Sequence, residues 1–318
     1  MLTSRSFVSI GTTAMIAVGM HGLYAQTYPN KPIRLITAEV GGGTDFAARL
    51  IAQGLTERFG QQVVVDNRPG IIAVEAVAKA LPDGYTMLLT ASNFWIGPLL
   101  QKTSYDPQKQ FSPISLVDTA SNVLVVHPSV PARSVRELIT LAKAKPGGLN
   151  YASSVTGGAT HLSAELFKAM AGVDIVQVTY KGGGPATNAL IAGEVQMAFS
   201  VAASATPHIK SGKLIPLAVT SSVPSVLFPD LPTIAASVPG YESVQLQGML
   251  VPASTPSAVI YRLNQETVRV LVRPDVKQRF LDSGVEIVGS SPEVFASKMR
   301  SEIAKWGKLI KDAGIRVE

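Results

Sequence analysis

Short runs of aliphatic and β-branched residues recur along this chain. Each is followed, across a turn of glycine or polar residues, by a stretch whose apolar side chains repeat at helical spacing. The first instance is Ile33 to Thr37, then Gly41-Gly42-Gly43, then Thr44-Asp45 leading into Ala47, Leu50, Ile51 and Leu55. Side chains alternate every two residues on a strand and every 3.6 on a helix, so one segment does not satisfy both patterns. Parallel strands need a crossover connection, usually a helix, so regular strand–helix alternation is the mark of a parallel sheet. The alternation therefore commits the chain to the α/β class with mainly parallel sheets.

The same reading continues along the chain. Strands are expected at Val63 to Val65 and Thr86 to Thr90, separated by a helix over Ala73 to Ala80 and a turn at Pro82-Asp83-Gly84. Val123 to Val126 begins a second unit, in which Ser134-Val135-Arg136-Glu137 has the form of a capping box and Gly147 ends the helix. Strands Leu149–Ala152, Ile175–Val178, Val195–Phe199 and Leu214–Val219 then alternate with helices Thr160–Met170 and Pro185–Ile191. The last third turns to helices opening at Pro256, Pro274 and Ser291-Pro292-Glu293. The last carries Phe295, Met299, Ile303, Trp306 and Ile310 on one face, a core-packing stripe. No internal sequence repeat is evident. With 318 residues, two lobes are expected, over 26–123 plus 249–318 and over 124–248, joined by strands crossing at Asn122 to His127 and Gln245 to Val251.

Arg5, the mostly apolar or small Phe7 to Met20, and Leu23-Tyr24-Ala25 form the pattern of an export signal covering residues 1–25. The chain has no cysteine, hence no thiol for a lipid anchor, a disulfide or a cysteine metal site. A periplasmic location follows. Net charge is +6, from 28 basic against 22 acidic residues; Arg5 is the only charge in residues 1–25, so the mature chain carries +5. The basic residues are scattered along helix faces and aromatics make up 6%, which excludes a nucleic-acid stripe.

The chemistry lies in three glycine-rich turns: Gly41 to Asp45, Thr156-Gly157-Gly158-Ala159-Thr160-His161, and Lys181-Gly182-Gly183-Gly184-Pro185. Each joins a strand to a helix, where unpaired amides and the positive helix end attract an anion. Gly42, Gly43, Thr44 and Asp45 from one lobe are expected to face Ser154, Thr156, Gly157, Ala159, Thr160, His161, Lys181 and Gly182 from the other, with the Ser92 hydroxyl completing the site. Phosphate loop, nucleophile elbow, zinc helix, calcium loop and dinucleotide fingerprint are all missing from the sequence, and four histidines give little for a metal. No cofactor and no enzymatic activity are expected. The weak alternative is a hydrolase in which His161, near Ser153, Ser154 and Thr156, acts as a base without an identifiable orienting carboxylate.

Tyr28-Pro29-Asn30-Lys31-Pro32-Ile33, the Gly41 to Asp45 turn, Val63 through Gly70, Asp83-Gly84-Tyr85 and Asn150-Tyr151-Ala152-Ser153 resemble the Bug-type solute-binding proteins of tripartite tricarboxylate transporters. The resemblance extends through His161-Leu162, Tyr180-Lys181-Gly182, Pro207 through Leu214, Ala218-Val219-Thr220 and Ala304-Lys305-Trp306-Gly307, so it covers the mature chain. It implies a type II periplasmic-binding fold, two α/β lobes joined by hinge strands with the ligand cleft between them. It implies a monomer that captures a small organic carboxylate and hands it to membrane permease subunits, without metal or cofactor. Presentation of the bound state to a membrane sensor kinase is the alternative. The ligand loops it implies are Val40 through Asp45, Ala91-Ser92-Asn93, Ser153 through His161 and Lys181 through Pro185.

Three positions depart from the family pattern. Ile36 through Val40 is one residue shorter and places Glu39 beside an anion site, where a carboxylate repels the ligand unless it points away. The glycine-rich stretch after Arg68-Pro69-Gly70 is shortened, leaving Ile71-Ile72 directly before a helix. Ser200 stands where the family often has an aspartate able to pair with an ammonium, which disfavours an amino-acid ligand.

Overall fold

The computed structural model describes residues 28–38, 40–153 and 158–315, the side chain of Ala203 excepted. Residues 1–25, expected from sequence to be an export signal, and the candidate residues Glu39, Ser154, Thr156 and Gly157 lie outside the described residues.

The first unit runs β1 (Ile33–Thr37), α1 (Gly43–Phe59), β2 (Val63–Asn67), α2 (Gly70–Ala78), β3 (Thr86–Ala91) and α3 (Asn93–Leu100). A 16-residue strand, β4 (Phe111–Val126), leads to the second unit. That unit comprises α4 (Val135–Ala144), β5 (Asn150–Ser153), α5 (Ala159–Ala171), β6 (Val176–Thr179), α6 (Gly183–Ile191), β7 (Met197–Val201), α7 (Ala202–Lys210) and β8 (Ile215–Val219). The chain returns through β9 (Val244–Pro252) and ends in α8 (Ser257–Leu271), α9 (Pro274–Asp282), the short β10 (Glu286–Ile287) and α10 (Pro292–Asp312).

The strands form two sheets. In the first the order is β2-β1-β3-β9-β4, with β10 also pairing β4; in the second it is β6-β5-β7-β4-β8. In both, three parallel strands are followed by one antiparallel strand that arrives from the other lobe, β9 in the first sheet and β4 in the second. The two units thus share one architecture although their sequences show no repeat. Strand order is set by backbone pairing, which many apolar sequences can satisfy.

β4 pairs within the first sheet from Phe111 to Ser121 and within the second from Asn122 to Val126. The return strand β9 lies wholly in the first sheet from Val244 onward. The sheets therefore change over at 121/122 and 243/244. The expected passages at Asn122 to His127 and Gln245 to Val251 lie one or two residues further along, and Val244 to Gly248 pair in the first lobe rather than the second. A buried hydrogen-bonded network marks the changeover: Asn122 N donates to Thr220 Oγ1 at 2.8 Å, Asn122 Nδ2 to Ser163 Oγ at 3.2 Å, and Tyr241 OH to the Ser163 carbonyl at 2.9 Å. Satisfied polar groups here allow two strands to cross between lobes without orphaned backbone.

Helices cover both faces of the central strands, which are apolar on both sides, while the edge strands β2 and β6 are partly exposed. On β1, Leu35 enters the core under α1 and α8 while Ile36 enters the opposite core; on β4, Val123 and Val125 face one core and Leu124 and Val126 the other. The α10 stripe packs as expected. Phe295, Met299, Trp306 and Ile310 are buried, and Phe295 seats on Gly248, where a Cβ would stand 2.1 Å from its ring. Full burial of such a ring is worth about 3 kcal/mol. Ser134 accepts a hydrogen bond from Glu137 N and Ser291 from Val294 N, so both serines cap their helices.

Candidate functional site

In both sheets the parallel strands end at the same edge, and the helices that follow them begin there. From the first lobe come the starts of α1, α2 and α3; from the second, those of α5, α6 and α7. None of the six has a side-chain cap, in contrast to α4 and α10. α8 and α9 also begin without one, so an uncapped start is not by itself diagnostic. The six differ in opening onto cavities, where their amides meet whatever enters.

Three cavities define this region. A chamber of about 590 Å³ in the first lobe is lined by Gly43 and Thr44 of α1, Gly70 and Ile71 of α2, Asn93 of α3, and Gln245 and Gln247 of β9. A cavity of about 140 Å³ between the lobes is lined by Ser92 and Asn93 on one side, Gly158 and Ala159 on the other, with Ser243, Gln245 and Trp306. A third, about 210 Å³, lies in the second lobe against Thr160, Gly183, Thr187, Ser200 and Ser204. None of the described residues lining these three cavities is charged. An anion there is met by helix dipoles and amides rather than by lysine or arginine.

The expected site residues divide accordingly. Gly43, Thr44, Ser92, Asn93, Ala159, Thr160 and Ser200 line these cavities, and Gly182, with φ +112°, forms the start of α6 beside Gly183. A left-handed φ of that size favours glycine. Gly42 lines a fourth space of about 140 Å³ behind the α1 turn, shared with Gly41, Gly43, Asp118, Gln247 and Phe280. Lys181 is exposed and lines none of these cavities.

Asp45 takes a different part from the one its place in the turn suggested. It is buried, and its oxygens accept from Gly41 N at 2.9 Å, Asn67 Nδ2 at 2.8 Å and Arg49 Nε at 3.1 Å. Burial works to raise its pKa, but the hydrogen bonds from Arg49, Gly41 and Asn67 outweigh it and hold the carboxyl below its ordinary value. A carboxylate so occupied fixes the glycine turn; in this state its acceptor sites are taken.

His161 is buried on α5 with Glu165 Oε1 4.0 Å from Nε2, so it does have a neighbouring carboxylate. Glu165 is already engaged by Tyr151 OH at 2.7 Å and Lys168 Nζ at 2.9 Å. Burial lowers the His161 pKa and Glu165 only partly offsets it, which favours the neutral imidazole. His161 lines none of the three cavities around the helix starts.

Gln245, Gln247, Ser243, Thr90 and Ser204 also line the cavities and were not expected there from sequence, and Trp306, expected only as core packing, lines the cavity between the lobes. The polar-apolar alternation Gln245-Leu246-Gln247 was the available signal: two glutamines on one face of an otherwise apolar strand. Trp95, beside the Ser92-Asn93 turn, is fully buried against Phe94 and Phe295 and is a packing residue.

The sequence matches the family described as tripartite tricarboxylate transporter family receptor over residues 47–315. Protein BugT of Bordetella pertussis is 33% identical over 302 residues, 92% of this chain and 93% of that protein. Among solved structures, R. palustris Rpa4515 with adipate is 36% identical, covers 91% of this chain and 99% of its own, and superposes with a TM-score of 0.72. A TctC solute-binding protein from Polaromonas with no ligand is 25% identical, covers 90% and 100% of the two chains, and superposes at 0.84.

Proposed function

The chain belongs to the tripartite tricarboxylate transporter receptor family, and from that premise we propose that it captures a small organic carboxylate between its lobes in the periplasm and delivers it to membrane permease subunits. The observation that carries the reading is the cavity between α3 and α5, where helix starts from both lobes meet without side-chain caps and, among the described residues, without a charged side chain. A carboxylate held there receives amide hydrogen bonds from both lobes, so the ligand favours the state in which they approach. Gly43, Thr44, Ser92, Asn93, Ala159 and Thr160 are the proposed anchors, with Ser200 on the far wall.

A further observation supports this reading: adipate, bound in a 36% identical neighbour, is a carboxylate.

The test is a thermal-shift and calorimetric screen against mono-, di- and tricarboxylates. A ligand at 100 times its dissociation constant adds about 2.7 kcal/mol to the folded state. Thr44→Ala should keep the melting temperature of the free protein and weaken binding several-fold. Binding unaffected by Thr44→Ala and Thr160→Ala would remove the anchors assigned here, and absence of any carboxylate hit would remove the reading.

A further inference from the structure

Two buried polar side chains stand opposite one another on neighbouring strands. Asp118 of β4 and Gln247 of β9 are direct register partners, and such pairs bring their Cβ atoms to about 4.5–5.5 Å. Both are buried, and both line the space of about 140 Å³ behind the α1 turn. Neither oxygen of Asp118 nor Gln247 Oε1 has a hydrogen-bond partner among the described residues. Acceptors left unmet in the interior are costly, so this space calls for a donor.

Gln247 is also the partition between that space and the first-lobe chamber, since it lines both. A Cβ built on Gly43 would meet Gln247 Nε2 at 3.3 Å, so the nitrogen faces the α1 start while the oxygen is buried. The terminal amide of a glutamine has two opposed orientations about its last torsion, and its neighbours decide between them.

Among the described residues lining the space, Asp118 is the one that ionises. β9 carries no charged residue, and β4 carries no other. On β10, Glu286 accepts from Ser225 Oγ; at the α1 turn, Asp45 is held by Gly41, Asn67 and Arg49. The charged residues of α9, namely Asp275, Lys277, Arg279 and Asp282, are exposed and do not line it. Burial raises the Asp118 pKa and no neighbouring charge offsets it.

We propose that Asp118 is a positioning residue: protonated, it donates its O–H to Gln247 Oε1 and so holds the Gln247 NH2 toward the α1 start, as a donor to the chamber. One proton then meets the needs of both side chains. An ionised Asp118 only accepts, so it draws the Nε2 end inward and leaves the amide oxygen facing the chamber, where it repels a carboxylate. The effect on binding rests on the carboxylate-capture reading above; the orientation of the amide does not.

NMR on the full protein reads that orientation without ligand, following the Asp118 carboxyl carbon and the Gln247 side-chain NH2 from pH 5 to 9 in the wild type, Asp118→Asn and Asp118→Leu. The carboxyl should be neutral at pH 5, above the ordinary aspartate value. The Gln247 NH2 signal should be alike in the wild type and Asp118→Asn, whose Nδ2 supplies the donor, and displaced in Asp118→Leu, which supplies none. An ionised Asp118 at pH 5, or a Gln247 amide indifferent to both pH and Asp118→Leu, overturns the proposal. Should the leucine variant not fold, the wild-type titration decides.

Calorimetry with adipate from pH 6.5 to 9, where its own carboxyls are ionised, reads the consequence. The dissociation constant should rise up to about tenfold per pH unit above the Asp118 titration in the wild type and stay level in Asp118→Asn. A constant that stays level while Asp118 titrates, or that follows it equally in Gln247→Met, overturns the role of the amide. Failure of adipate to bind at every pH counts against the capture reading alone, because the NMR result stands without ligand.

Discussion

Asp118 is the sharpest electrostatic anomaly in the molecule. It sits on β4 beside a register shift between Leu116 and Asp118, is fully buried, and neither carboxyl oxygen has a hydrogen-bond partner among the described residues. Bulges redirect side chains, and this one places an acid in the space behind the α1 glycine turn. Burial penalises the charged form and pushes the carboxyl well above its ordinary value, so the folded protein holds a proton that the unfolded chain releases near pH 3.9. Stability from this group is full below the unfolded value. It is lost as pH rises toward the folded value, at about 1.4 kcal/mol per pH unit for one proton. Asp118→Asn keeps the shape and removes the titration. In urea unfolding from pH 4 to 8, the difference between variant and wild type should therefore move in the variant's favour as pH rises, while other titrating groups cancel. A difference that stays constant over that range would refute a buried neutral acid at Asp118.

Gly248→Ala would drive a methyl into the Phe295 ring, and the overpacking should cost about 1–3 kcal/mol by chemical denaturation, recovered in part by Phe295→Leu. Ser134→Ala removes the acceptor for Glu137 N at the start of α4 and should cost about 1 kcal/mol with no change in ligand affinity. The chain has two tryptophans, and Trp306 lines the cavity between the lobes while Trp95 is sealed in the core. A ligand-induced fluorescence change should therefore vanish in Trp306→Phe and persist in Trp95→Phe; persistence in Trp306→Phe would contradict closure at that cavity.

Much of the fold could be read locally. β1 has the expected bounds, Ile33–Thr37, and the capped starts of α4 and α10 follow from serine positions that satisfy amides within three residues. Two helices were missed for an equally local reason: α3 contains Gly97 and Pro98, and α7 contains Pro207, residues that disrupt the helical pattern and persist here within the packed fold. The first eleven residues of β4 escaped notice because Pro113 and the register shifts break the alternation that marks a strand. Within the candidate site, glycines and hydroxyls announced themselves as turn chemistry. The β9 glutamines did not, since a polar residue on a strand reads as a solvent face until its neighbours are known.

The sequence by itself determined the class of structure and the residues at the strand-to-helix turns, because periodicity, capping and glycine chemistry act over a few residues. Only the tertiary structure decided which of those turns converge on common cavities, that Asp45 is spent on holding its own loop, that Lys181 lies apart, and that Asp118 is buried without a partner among the described residues. Those outcomes depend on burial and on which strands become neighbours. Both are set by contacts between residues as far apart as Asp118 and Gln247, which no local pattern encodes.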